Sequence, residues 1–165
     1  MQKAGNPKQL WQNLIILIVI AIVVTGDFFT KEWIRSFPPD GETIYKLGFI
    51  KIIHITNTGS AFGAFQGFSL ALTIIAILGL FILSGFGIYM YRQYPQFVNM
   101  PNRIALGLIL GGDLGNLIDR LRFGRVTDFI DPGFFPVFNV ADSAITIGVI
   151  LIIYSLLRSF IHEKQ

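Results

Sequence analysis

Residues Gly111 to Ser143 read GGDLGNLIDRLRFGRVTDFIDPGFFPVFNVADS, five aspartates and three arginines set among apolar segments. An ionisable side chain near a bilayer centre costs roughly 2.5–3.5 kcal/mol on insertion scales, so such residues are paired, interfacial or lining a wet site. The rest of the chain decides whether that cost applies. Of 165 residues, 53% are hydrophobic and 14% charged, and mean hydropathy is +0.62. Soluble domains carry about 25% charged residues. The composition therefore predicts an integral membrane protein, and the length suits one domain, residues 1–165.

A hydrocarbon core about 30 Å thick needs about 20 apolar residues per helix. Four segments qualify, at about 11–29, 69–90, 104–121 and 140–160. The third is the weakest, because Gly111, Gly112, Asp113, Gly115 and Asn116 interrupt its end. The first follows Lys3 and Lys8, but no small-x-small cleavage site succeeds Val24, so it reads as a retained anchor and not a cleavable leader. The loop at about 30–67 mixes turn residues (Pro38, Pro39, Asp40, Gly41) with β-branched alternation from Phe49 to Thr56. The predicted fold class is an all-α membrane protein of four transmembrane helices, with a small β cap from that first loop on the outer surface.

Four spans put both termini on one side. The tails and middle connection hold six Lys/Arg (Lys3, Lys8, Arg92, Arg103, Arg158, Lys164), and the longer loops of the other face hold seven. Long loops count for less, so the positive-inside rule assigns both termini to the cytoplasm. Nine of the ten acids, all but Glu163, fall on or near the opposite face, which is where chemistry is expected.

There is no cysteine, which excludes disulfides, a thiolate nucleophile and cysteine metal sites. The net charge of +3 comes from residues scattered in flanks and loops, a pattern for a membrane surface and not for nucleic acid. His54 and His162 are too far apart for a helix-borne metal pair. His54 sits in a β-branched run (Ile52, Ile53, Ile55, Thr56) and reads as structural or surface-facing. No metal and no cofactor is expected.

Asn139 followed by Val140, Ala141 and Asp142 looks like a helix start, with an amide at the cap and an acid three residues on. On local sequence Asp142 is equally a capping acid favoured by the helix dipole and a functional carboxylate. The functional reading needs a partner. Asp128 supplies one, because the short connection Pro132–Pro136 returns the chain to the start of the last helix. Two carboxylates about 4 Å apart repel by about 4 kcal/mol at an effective dielectric near 20. That is roughly three pK units, so they share one proton. One is then a base toward water and the other an acid toward a carbonyl oxygen, and titration belongs to the pair.

Asn116, Asp119 and Arg120 lie on one helical face. Arg120 reads as the counter-ion of Asp119, and Asn116 can donate to a carboxylate or a substrate carbonyl. Gly111, Gly112 and Gly115 permit close helix packing. Arg122 and Arg125 read as anchors to lipid headgroups, and Asp27 with Lys31, four apart, as an interfacial ion pair. Asn57, Thr58, Gly59, Ser60, Ala61, Phe62 and Gly63 form a small-residue turn.

Taken in order, DFFTK from Asp27, NTGSAFG from Asn57, GGDLGNLIDR from Gly111, VTDFID from Val126 and FNVADS from Phe138 resemble the lipoprotein signal peptidases, the bacterial type II signal peptidases. The resemblance covers nearly the whole chain. It implies an aspartic endopeptidase of the bacterial inner membrane that removes the signal peptide from prolipoproteins just before a diacylglyceryl-modified cysteine. By position it implies Asp128 and Asp142 as the catalytic pair. It also implies Asn57, Asn116, Arg120 and Asn139 as residues that shape the site and hold substrate, and Asp27, Lys31, Gly59 and Asp119 as supports. A small β cradle and an outer-face helix over the site belong to the same expectation, as do membrane lipids as partners and a monomeric state.

Three rival readings fit the sequence. A Ser–Lys peptidase would use Ser60 or Ser143 with a loop lysine. A proton or ion carrier would use the acidic cluster without turnover. A metal hydrolase would use Asp119, Asp128, Asp131 and Asp142.

Overall fold

The structure, a computed structural model, describes residues 7–59, 69–94 and 99–162. Among them are four long helices: α1 (Pro7–Ile34), α2 (Ser69–Gln93), α3 (Met100–Phe123) and α4 (Val140–His162). Three strands, β1 (Thr43–Leu47), β2 (Ile50–Asn57) and β3 (Val126–Asp131), form one antiparallel sheet in that order. Each helix outruns its predicted span, α1 most of all. Hydropathy stops at a charge, whereas a helix continues wherever packing or pairing supports the charged turn.

The fold is thus mostly helical with a small sheet. Helices α1, α2 and α4 are long and apolar enough to cross a membrane; α3, interrupted by Asp113, Asp119 and Arg120, does not meet that measure by composition alone. Leu17, Ile22, Phe81, Ile82, Ile150 and Leu157 project outward from the first, second and fourth helices. A surface of that kind is stable in lipid and not in water.

Helix α3 is the central element, and small residues let its neighbours approach. On the side facing α1, Gly107 meets Val19, Gly111 meets Val23 and Gly115 meets Asp27, so the two helices run parallel in four-residue steps. On the side facing α4, Gly112 lies against Ala141 and Ile145, and Gly148 of α4 against Ala105 and Ile109. Backbone proximity of this sort supplies the van der Waals contact that holds helices together in lipid. A Cβ on residue 115 would stand 2.6 Å from Asp27 Oδ2, an atom fixed in a buried ion pair, whereas one on residue 26 meets nothing within 4 Å. Gly115→Ala is accordingly expected to lower the melting temperature in detergent by several degrees, and Gly26→Ala to leave it unchanged or raise it.

At the end of α3, Gly124 adopts φ 67° and its N–H bonds to the Arg120 carbonyl, a left-handed cap that turns the chain into β3. The third strand corrects the expectation of a cap built from the first loop alone, since β3 comes from the connection between α3 and α4. Strand β2 pairs with β3 through Ile55↔Asp128, Thr56↔Thr127 and Asn57↔Val126. Lys51 Nζ and Asp131 Oδ2 lie 3.8 Å apart at the other end of that ladder. His54 is buried and its Nδ1–H donates to the Phe37 carbonyl at 2.6 Å, a structural role that ties sheet to helix end. Described loop residues 35–59 contain no helix, and residues 60–68, where Ser60 and the rest of the small-residue turn fall, lie outside the described residues.

Candidate active site

Five elements converge where α1 ends, α3 ends and α4 begins. Beyond β3, Phe138 bonds back to Ile130 in both directions (2.8 and 3.1 Å), which makes the connection a hairpin-like return. Asn139 is thereby set at the start of α4. Its side-chain oxygen accepts from the Asp142 N–H at 2.9 Å, while its own N–H donates to Asp142 Oδ2 at 3.2 Å. This reciprocal cap is the geometry that an amide followed three residues later by an acid predicts.

The other end of the Asn139 amide points to Asp128. Its Nδ2 donates to Asp128 Oδ1 at 2.7 Å and to Asn116 Oδ1 at 3.1 Å. Asn57 Nδ2 donates to Asp128 Oδ2 at 2.9 Å, and the Asn57 oxygen is held by the Gly59 N–H. Opposite residues of an antiparallel pair share a face. Asn57 faces Val126 in the ladder and so stands diagonally from Asp128. Asn116 Nδ2 in turn donates to Asp142 Oδ1 at 2.8 Å. Both carboxylates thus have both oxygens engaged by donors, and Asn139 serves each of them.

Behind this layer Lys31 is fully buried, 0% exposed, with Nζ 2.7 Å from Asp27 Oδ2 and 3.0 Å from Asn116 Oδ1. Asp27 Oδ1 accepts the N–H of Ala141 in the first turn of α4. The expectation of an interfacial pair is therefore corrected: Asp27 and Lys31 sit in the core, joining α1 to both α3 and α4. An ammonium only donates, so Lys31 fixes the Asn116 amide with its oxygen inward and its nitrogen toward Asp142.

Asp119 does not pair with Arg120 as expected from adjacency. Its Oδ1 accepts from Arg35 Nη1 at 3.1 Å, its Oδ2 from the Thr127 N–H at 2.9 Å, and Lys31 stands 3.6 Å away. Adjacent residues on a helix point in different directions, so the ion partner is chosen by the face and not by proximity in sequence. Arg120 instead lies in the field of Asp142 first, then of Asp113, Asp128 and Asp119. Arg122 is likewise not a bare headgroup anchor: Nη1 bonds to Glu32 at 2.7 Å and the guanidinium packs over Phe28 and Phe123. Arg35 and Thr127 were missed. The four-residue steps Asp27, Lys31, Arg35 were the available signal for the former.

Burial pushes the Asp128 carboxyl up to about 6, and the neighbouring Asp142 charge adds to the shift, while the Asn57 and Asn139 donors oppose it. The remaining alternatives fit this geometry poorly. Ser143 Oγ donates to the Asn139 carbonyl at 2.9 Å within its own helix, with no lysine beside it among the described contacts. Asp119 is occupied by Arg35 and Thr127, and Asp131 faces Lys51. Among the described residues no three acid or histidine side chains converge to hold a metal ion.

Residues 19–158 match the family model of signal peptidase (SPase) II. A lipoprotein signal peptidase of Dehalococcoides mccartyi strain BAV1 is 42% identical over 139 residues, 84% of this chain and 86% of that one. One from Bartonella tribocorum is 37% identical over 161 residues, 92% of each. A bacterial membrane enzyme solved by the in meso method at 2.3 Å resolution superposes with a TM-score of 0.77 at 36% identity, covering 88% of both chains. An apolar helical surface, a polar network at one end and these matches agree: the chain is an integral membrane protein and belongs to the signal peptidase II family.

Proposed function

We propose that this protein is an aspartic endopeptidase that cleaves diacylglyceryl-modified prolipoproteins before the lipidated cysteine, with Asp128 and Asp142 as the catalytic pair. The observation that carries the reading is the Asn139 side chain, which caps Asp142 and bonds Asp128 at the same time. Nothing in helix capping alone requires the second bond. In this mechanism the ionised carboxylate, Asp142, takes a proton from water as the oxygen attacks the scissile carbonyl, and Asp128 gives its proton to the carbonyl oxygen. The tetrahedral diol then collapses, the C–N bond breaks, and a proton passes to the leaving amine. Asn57, Asn116, Arg120 and Asn139 line the place where the peptide lies. Asp27, Lys31, Gly59 and Asp119 support them.

The same reading places four helices across the bacterial inner membrane as a single monomeric domain, both termini cytoplasmic and the sheet at the outer face. The lipid of the substrate stays in the bilayer while its peptide bond reaches water. What supports this orientation is that α1 and α3 end, and α2 and α4 begin, on the side of the sheet, so the start of α1 and the end of α4 lie at the opposite end of the bundle. Ser69 Oγ of α2 bonds to the Gly124 carbonyl there.

The test is cleavage of a diacylglyceryl-modified prolipoprotein by the purified protein in detergent, across pH, with and without a chelator. Asp128 holds its proton more tightly folded than unfolded, its value rising from 3.8 to about 6. Between those values the folded state binds the extra proton, so this group's contribution to stability falls as pH rises through the window and is level above it. In the folded protein the shared proton is lost around pH 6, the upper end of that window. kcat/KM is expected to fall with unit slope above about pH 6 and to be indifferent to the chelator. Cleavage of the unmodified precursor at the same rate, or inhibition by the chelator, would sink the proposal.

A further inference from the structure

The structure assigns Arg35 as a positioning residue that sets both carboxylates of the pair from outside the site, an inference that rests on the aspartic reading above. Arg35 follows the last residue of α1 and is largely covered, its guanidinium 4.6 Å above the Phe123 ring. One nitrogen, Nη1, donates to Asp119 Oδ1 at 3.1 Å and to Thr127 Oγ1 at 2.9 Å, and Nη2 donates to Glu32 at 3.1 Å. Asp119 closes the triangle by accepting the Thr127 N–H. The end of α1, the last turns of α3 and the start of β3 are therefore tied together one residue before Asp128. A backbone shift at Thr127 moves Asp128 directly.

The second effect runs through charge. Asp119 has two cations within reach, Arg35 at 3.1 Å and Lys31 at 3.6 Å, whereas Lys31 lies closer to Asp27 and Asn116. Because Arg35 neutralises Asp119, the ammonium of Lys31 is left for Asn116, whose amide donates to Asp142. Without Arg35 the Asp119 charge draws Lys31 toward itself and leaves the Asn116 amide held by Asn139 alone. The guanidinium puts two nitrogens in place, Nη1 on Asp119 and Thr127 and Nη2 on Glu32, an arrangement that a single lysine nitrogen at the same position matches in charge but not in shape.

Steady-state kinetics on the purified full-length chain with a diacylglyceryl-modified prolipoprotein separate these roles, with rates normalised to folded protein by thermal melting. Arg35→Met is expected to lower kcat about ten- to a hundredfold with KM within about twofold, since displacement of a reacting group by about 1 Å costs on that order. Arg35→Lys falls between it and the parent. Adding Asp119→Asn to Arg35→Met is expected to recover the part of the lost kcat that runs through Lys31, while the part that runs through the Thr127 tie stays lost. A neutral amide there still accepts the Thr127 N–H and no longer attracts Lys31. A merely structural role predicts the reverse, a double variant no better than the single. Unchanged kcat in Arg35→Met, or no recovery in the double variant, overturns the inference; should Arg35→Met not fold, Arg35→Lys and the double variant decide. Asp128→Asn is run alongside. If it is inert while Arg35→Met keeps full kcat, only the positioning role fails; if it stays active, the aspartic reading fails and takes this one with it.

Discussion

Asp128→Asn and Asp142→Asn are each expected to abolish signal-peptide release while the protein remains folded in the membrane. The substitution keeps size and shape, and the oxygen that is retained still accepts from Asn139 or Asn116, while the new amide nitrogen gives up the other acceptor. What it removes is the ability to hold or exchange a proton. A positioned acid or base contributes about 10²–10⁴ in rate. Partners that act as a unit lose most of their combined effect when one is removed, so each single variant should approach the background, with the double little worse. Stability should hold or rise in Asp128→Asn, because burial already disfavours the charge there. The measurement is a mobility shift of the prolipoprotein on a gel, with thermal melting as the control for folding. More than a few per cent residual cleavage from either variant would falsify the paired-carboxylate mechanism.

Lys31→Met should cost several kcal/mol of stability. The ammonium is 0% exposed, Asp27 beside it is 1% exposed, and Asp119 lies within 3.6 Å. Removing one member of a buried pair costs about 3–5 kcal/mol, because the surviving charge stays buried and uncompensated. Asp27 also anchors the first turn of α4 through Ala141, so the damage spreads to the helix that carries Asp142. We expect Lys31→Met to accumulate poorly and to melt many degrees below the parent in detergent. Coupling it to Asp27→Asn removes the stranded charge and should restore much of the melting temperature. Cleavage should nevertheless stay low, because Asn116 has lost one of the two donors that fix its amide. Parental stability in the single variant would mean that water reaches Asp27.

The apolar runs and the cap signature were legible because their physics is local. Some twenty hydrophobic residues announce a membrane helix, and Asn139 with Asp142 announces its own first turn within four residues. The partner of Asp119 was not legible in the same way. It lies 84 residues away at Arg35, and only the packing of α3 against α1 decides that this face of α3 looks inward. The burial of Lys31 was missed for a related reason, since a charge at the end of an apolar run is ordinarily at the interface. Here a carboxylate on its own helix and an amide on α3 make the interior acceptable to it. The segment VTDFID carries no strand expectation of its own, because its ladder partner, β2, sits some seventy residues upstream, and strand pairing at that range leaves no periodic trace in the short segment itself. The resemblance of five motifs in order supplied the aspartate pair, which spacing alone had left as one of two readings for Asp142.

On the proposed mechanism, that a single amide both starts α4 and grips Asp128 makes the enzyme self-disarming. If the opening turn of that helix frays, the cap bond and the bridging bond go together, and neither acid is left presented on its own. A damaged or half-assembled molecule is then inert instead of indiscriminate, a useful property for a hydrolase lodged among extended polypeptides in a crowded bilayer.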